Sequence, residues 1–155
     1  MKFRPASLRL AMLAFLVGAL GALAALPACS TPAPAATVTP AALPDSLEAL
    51  QAELAALPPG DAAAGKGDFT AVGCVACHSL EKDVRIVGPS LAGVATRAAS
   101  RKTGYSAQLY IYESITRPSA YVVASFTNGL MPQDFKTRLR PQDLSDLIAF
   151  LLTEQ

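Results

Sequence analysis

Histidine occurs once in this chain of 155 residues, at His78, while cysteine and methionine occur three times each. A single imidazole excludes a histidine-rich metal site and excludes ligation of one metal by two histidines. Charged residues make up only 16% and the formal net charge is +1, so the basic surface that nucleic acids require is missing. Even that small surplus is local. Lys2, Arg4 and Arg9 stand before residue 29 without an acid, and the remainder holds 10 Lys+Arg against 12 Asp+Glu, a net of −2. Hydrophobic residues at 52% exclude a disordered acidic chain. The length suits one domain with extensions.

Residues 1–28 read as an export signal: a basic start, then LAMLAFLVGALGALAAL over 10–26, uncharged and apolar. At 17 residues this run lies at the short edge of a membrane span. Leu26-Pro27-Ala28-Cys29 is similar to the lipobox of bacterial lipoproteins, with an aliphatic residue, then a small one, before the cysteine; Pro27 departs from that pattern. The similarity implies acylation at Cys29. Retention of the apolar segment as an anchor, and free secretion, are the alternatives. Acylation or retention would tether the domain on the extracytoplasmic face of a bacterial membrane, because the cations stay inside.

Residues 29–60 join this leader to the main domain. The stretch 30–44, STPAPAATVTPAALP, holds four prolines and no charge. It favours extended polyproline-like backbone at about 3.1 Å per residue, a reach of about 45 Å. Asp45-Ser46-Leu47-Glu48 predicts a helix start with Asp45 as cap, and Leu47, Leu50, Leu54 and Leu57 form one apolar stripe ended by Pro58-Pro59-Gly60. That stripe either packs on the protein's own domain or docks on a subunit of a membrane complex. The main domain spans 61–155.

Cys74-Val75-Ala76-Cys77-His78 has the C-x-x-C-H spacing of c-type haem attachment. Two thiols on one helical turn can add to the two vinyl groups of one porphyrin, and the adjacent imidazole then meets the iron. A structural zinc site needs four ligands, but the only other cysteine is Cys29 and no second histidine exists. A thioredoxin-like pair would need alternating strands around it, and none is predicted. For the sixth iron position, Met1 and Met12 lie in the leader, which leaves Met131. Either Met131 binds iron, or the position is open or weakly filled. Gly129-Leu130-Met131-Pro132 predicts a loop rather than a helical stripe. Met–His ligation raises the potential and fills the position that O₂ or peroxide would take. An open site would instead suit a haem peroxidase or gas sensor, although no distal histidine is present.

With these motifs in order, residues 61–155 resemble the class I mono-haem cytochromes c. Gly65-Lys66-Gly67-Asp68-Phe69 looks like the helix before C-x-x-C-H. Gly88-Pro89-Ser90-Leu91 matches G-P-x-L, Tyr105–Arg117 looks like the middle helix, and Gly129–Pro132 looks like the axial-methionine loop. Pro141-Gln142-Asp143-Leu144 opens a closing helix with Leu144, Leu147, Ile148, Leu151 and Leu152 on one face. The resemblance implies an all-α fold of about four to five short helices around one covalent haem c. It further implies that the Pro89 carbonyl accepts the Nδ1–H of His78, that His78 and Met131 ligate iron, and that Phe150 packs near Phe69.

The implied function is one-electron transfer, not enzymatic turnover, in a membrane-associated respiratory or photosynthetic chain. The alternative is a fixed mono-haem subunit of a larger oxidoreductase complex, similar to that of alternative complex III. Residues 82–140 carry a net charge of +6, including Lys82, Arg85, Arg97, Arg101, Lys102, Lys136, Arg138 and Arg140. A basic rim there would steer a redox protein with an acidic face; an ordinary solvated surface is the plain alternative. Tyr105, Tyr110, Tyr112 and Tyr121 are candidates for the pocket wall or for core packing.

Overall fold

The computed structural model describes residues 45–155, so the leader, Cys29 and the proline-rich segment lie outside the described residues. Among the described residues there are six α-helices and no strand: α1 (Leu47–Ala55), α2 (Ala62–Ala71), α3 (Val94–Arg101), α4 (Ala107–Thr116), α5 (Phe135–Arg138) and α6 (Pro141–Leu151). A single 3₁₀ turn, Cys74–Ala76, follows α2. The all-α expectation holds.

The helices start where the sequence offers acceptors for their unpaired N–H groups. Asp61 accepts from Ala63 N (2.7 Å) and caps α2; Ser106 accepts from Leu109 N (3.1 Å) and caps α4. Pro141, with its fixed φ and missing N–H, occupies the first turn of α6. For α1 the cap is Ser46, which accepts from Ala49 N (3.1 Å), not Asp45. The predicted start is therefore early by one residue, and Asp45 instead pairs with Arg117 (3.3 Å).

α2 and α6 cross at the heart of the domain. The backbone of α6 approaches so closely that a Cβ on Gly65 would lie 1.8 Å from the Asp146 carbonyl oxygen, which leaves glycine as the residue that fits. One turn on, the Phe69 and Phe150 rings meet at 5.6 Å between centroids, as the resemblance implied. The buried Asp146 carboxylate accepts from Asp61 N (2.7 Å) and from Gln142 Nε2 (2.8 Å), so α6 also helps to start α2. α4 is buried on most sides: Leu109, Tyr110, Ile111, Tyr112 and Ile115 all join the core. Each such aliphatic or aromatic side chain contributes about 1.5–3 kcal/mol on burial.

α1 packs on this same domain. Leu50 is 1% exposed, and Leu54 and Leu57 lie against the core. The helix is also held by charge. The Glu53 carboxylate accepts from Tyr112 Oη (2.7 Å), Arg117 (3.0 Å) and Lys136 Nζ (2.9 Å). Burial pushes the Glu53 carboxyl up, but these donors outweigh it and hold its pKa at about 2. Burial and the Glu53 carboxylate together push the Tyr112 phenol up to about 12.

Candidate functional site

The turn Cys74–Ala76 closes through His78 N donating to Cys74 O (2.9 Å). The chain after His78 then folds back on this turn. Gly88 N donates to Cys77 O (2.8 Å), Leu91 N to Ser79 O (2.8 Å), and Ser90 Oγ to Glu81 O (2.6 Å). This return places Pro89 beside the imidazole, with His78 Nδ1 2.9 Å from Pro89 O. A carbonyl can only accept, so Nδ1–H is the donor and the neutral ring in this tautomer offers its Nε2 lone pair to another partner. Gly88 lies against the ring itself. A Cβ there would sit 2.4 Å from His78 Cε1, so a side chain at 88 would displace the imidazole.

The two thiols, the His78 ring and Met131 all line one cavity of about 270 Å³. Its walls come from α2 (Phe69), α4 (Tyr110, Ile111, Ile115), α6 (Leu147, Leu151) and the segment between α4 and α5. Cys74 and Cys77 are free thiols, and burial pushes the Cys74 thiol above its ordinary pKa. Ser114 Oγ is the buried side-chain polar atom, among the described residues, that lacks a protein hydrogen-bond partner, and Ser114 also lines this cavity. A largely apolar chamber with two thiols, an imidazole held through Nδ1, a thioether and an orphan hydroxyl fits a porphyrin carrying iron. Among the described residues, no group of three or more His, Cys, Asp or Glu side chains is placed to hold a metal ion.

Met131 is partly buried against the core. Its carbonyl accepts from Gln133 Nε2 (2.7 Å), and Ser119 Oγ lies 2.9 Å from the Gln133 amide oxygen. The segment is also pinned from outside by Arg85, which donates to Ser125 O (2.8 Å) and stacks over the Phe126 ring at 4.1 Å. The sequence offered no signal for Ser119, Gln133 or Ser114, because their roles depend on a chain path that no periodicity encodes.

The tyrosines divide. Tyr110 and Tyr121 line the cavity and meet edge to face at 5.7 Å. Tyr105 bonds the buried Glu113 (3.0 Å), and Tyr112 bonds Glu53, so neither belongs to the cavity wall. Of the eight rim cations, Lys102, Lys136, Arg138 and Arg140 are paired with Glu113, Glu53, Asp134 and Asp143 respectively. Arg97 turns inward, its guanidinium donating to Ser90 O (2.8 Å) and to Ala92 O. No helix among the described residues is long and apolar enough to cross a membrane.

Residues 62–155 match the family model Cytochrome c. Comparison with curated proteins gives no match. The family attaches haem c covalently and uses it for electron transfer, and Cys74 and Cys77 provide the attachment spacing. With its helical fold, its cavity and a match over more than half its length, the chain belongs to the cytochrome c family.

Proposed function

We propose that the protein is a one-electron carrier of a membrane-associated respiratory or photosynthetic chain, with His78 and Met131 as the axial ligands of its haem iron. The observation that carries this reading is the His78–Pro89 contact at 2.9 Å in a cavity that Met131 also lines. Bound haem supplies a one-electron Fe(III)/Fe(II) couple. Cys74 and Cys77 would hold it through two thioether bonds, so that it cannot be lost by dilution outside the cell.

The residues around it prepare the site before any electron arrives. Pro89 selects the tautomer that leaves Nε2 free, and Gly88 gives the ring room to lie flat against the backbone. Hydrogen bonding of Nδ1–H makes the imidazole the stronger donor. Phe69, Ile111, Ile115, Leu147 and Leu151 face the chamber with apolar side chains. A dry, rigid environment needs little rearrangement when charge changes, which favours transfer over chemistry at the iron. Gln133 holds the Met131 carbonyl and so fixes the backbone from which the thioether projects.

Acylated Cys29 and the proline-rich 30–44 segment serve as anchor and tether in this reading, on the extracytoplasmic face. Mass spectrometry of membrane-extracted protein tests it: an acyl mass at Cys29 supports the anchor, and an unmodified Cys29 removes it. The proposed partners are redox proteins with an acidic face. Because Lys102, Lys136, Arg138 and Arg140 are paired within the protein and Arg97 turns inward, steering would rest mainly on Lys82, Arg85 and Arg101. Transfer rates that fall with ionic strength support this docking mode, and a flat salt profile removes it. For the ligation itself, Met131→Ala should abolish the weak Met–iron absorption band and lower the potential. An unchanged spectrum would overturn it.

A further inference from the structure

The segment carrying Met131 leaves α4 at Arg117, reaches α5 at Phe135, and contains no helix of its own. Such a stretch is held in shape by what fixes its ends, by its own internal bonds and by side contacts, here Arg85 on Ser125 and Phe126 and Tyr110 against Tyr121. The internal bonds are modest: Gln133 to the Met131 carbonyl, Ser119 to Gln133 and Asn128, and a backbone turn from Phe126 N to Val123 O. The ends are different. Arg117, at the exit from α4, donates to Glu53 through Nη1 (3.1 Å) and Nη2 (3.0 Å). Lys136, just beyond the return, donates to the same carboxylate at 2.9 Å. Tyr112, one turn before the exit, adds a bond at 2.7 Å. One carboxylate thus joins both ends of the methionine segment. It belongs to α1, which precedes the residues 62–155 that match the family model.

We propose that Glu53 is a positioning residue for Met131, and that α1 is a clamp whose attachment sets how firmly the thioether is presented to the haem iron. The proposal rests on Met131 being an axial ligand. Arg117 and Lys136 are 64 and 83 residues from Glu53 in sequence, so the bonds tie distant parts of the chain. Their loss would let the segment sample more conformations. A competing small ligand then finds the iron's sixth position open more often, because its apparent affinity scales with the fraction of open conformers.

The test is imidazole binding to the ferric, haem-loaded full chain, followed by visible absorption together with the Met–iron band. Glu53→Gln should bind imidazole about ten-fold more tightly than the parent. Lys136→Met removes only an exposed arm of the clamp, with no threat to folding, and should give about a three-fold rise. Glu113→Gln breaks the buried pair with Lys102, away from the methionine segment, and controls for general loss of stability; it should stay within about two-fold of the parent. Parent-like affinity in both Glu53→Gln and Lys136→Met would overturn the clamp. So would an equal rise in Glu113→Gln, which would make the effect one of stability alone. Met131→Ala separates the two readings. If it loses the band and binds imidazole more tightly while the clamp variants stay parent-like, only the clamp fails. If it changes neither, the ligation reading fails first.

Discussion

The α2–α6 crossing and the seat of α1 secure helices to one core by different physical means. At the crossing, backbone meets backbone over Gly65 and two phenylalanine rings meet at 5.6 Å, a contact made of shape and apolar area. α1 also has an apolar anchor, Leu50, but its second hold is the charge cluster around Glu53. Packing of the first kind is indifferent to salt and to moderate pH. Ionic attachment weakens with added salt and, below pH 4.5, with acid. The frame of the haem chamber is therefore built from the insensitive kind, while the bonds at the ends of the Met131 segment are of the sensitive kind.

The comparison is broken most severely at the crossing. Gly65→Ala puts a methyl against the Asp146 carbonyl and should cost about 4 kcal/mol or more, or prevent haem loading altogether. Gly67→Ala, in the same helix with nothing within 4 Å of the new methyl, should be neutral or stabilising by up to about 1 kcal/mol. Denaturant unfolding of the two variants checks both. Leu50→Ala removes the apolar hold of α1 and should cost about 2–4 kcal/mol.

Glu53→Gln comes next in size. Full conversion of its pKa shift would give about 3 kcal/mol, and solvent at a side chain 33% exposed reduces that to about 1–2 kcal/mol. Because the folded-state pKa is depressed from 4.5 to about 2, the contribution is present above pH 4.5 and is lost as pH falls through 2. The stability gap between parent and variant should accordingly be full at pH 7 and narrow progressively below pH 4.5. A gap independent of pH would place the cost in packing rather than charge. Asp134→Asn, which removes the exposed i,i+4 pair with Arg138, should change stability by less than about 0.5 kcal/mol.

What could be read from the sequence was whatever depends on local spacing. C-x-x-C-H and the apolar face of α6 are short-range patterns, whereas the role of G-P-S-L came from resemblance; in the structure Cys74, Cys77, His78 and Met131 line one chamber. Phe69 against Phe150 came from resemblance, not from spacing. α3 carried no recognisable signal, because its buried residues are Val94, Ala95 and Ala98, small side chains interrupted by arginines. The charge cluster at Glu53 was invisible for another reason. Glu53, Arg117 and Lys136 each look like ordinary surface charges, and only the chain path brings them together. The same blindness hid the pairing of the basic segment's Lys136 and Arg140, whose carboxylates, Glu53 and Asp143, lie outside it in the sequence.

The central claim, that the Met131 sulfur faces haem iron, is tested most directly by labelling methionine methyl groups with carbon-13 and recording proton–carbon spectra of the reduced protein. A methyl bonded through sulfur to iron sits over the porphyrin ring, so the Met131 signal should move far upfield of the ordinary methionine range and vanish in Met131→Ala. A Met131 methyl at an ordinary position in the reduced, haem-loaded protein would contradict the account.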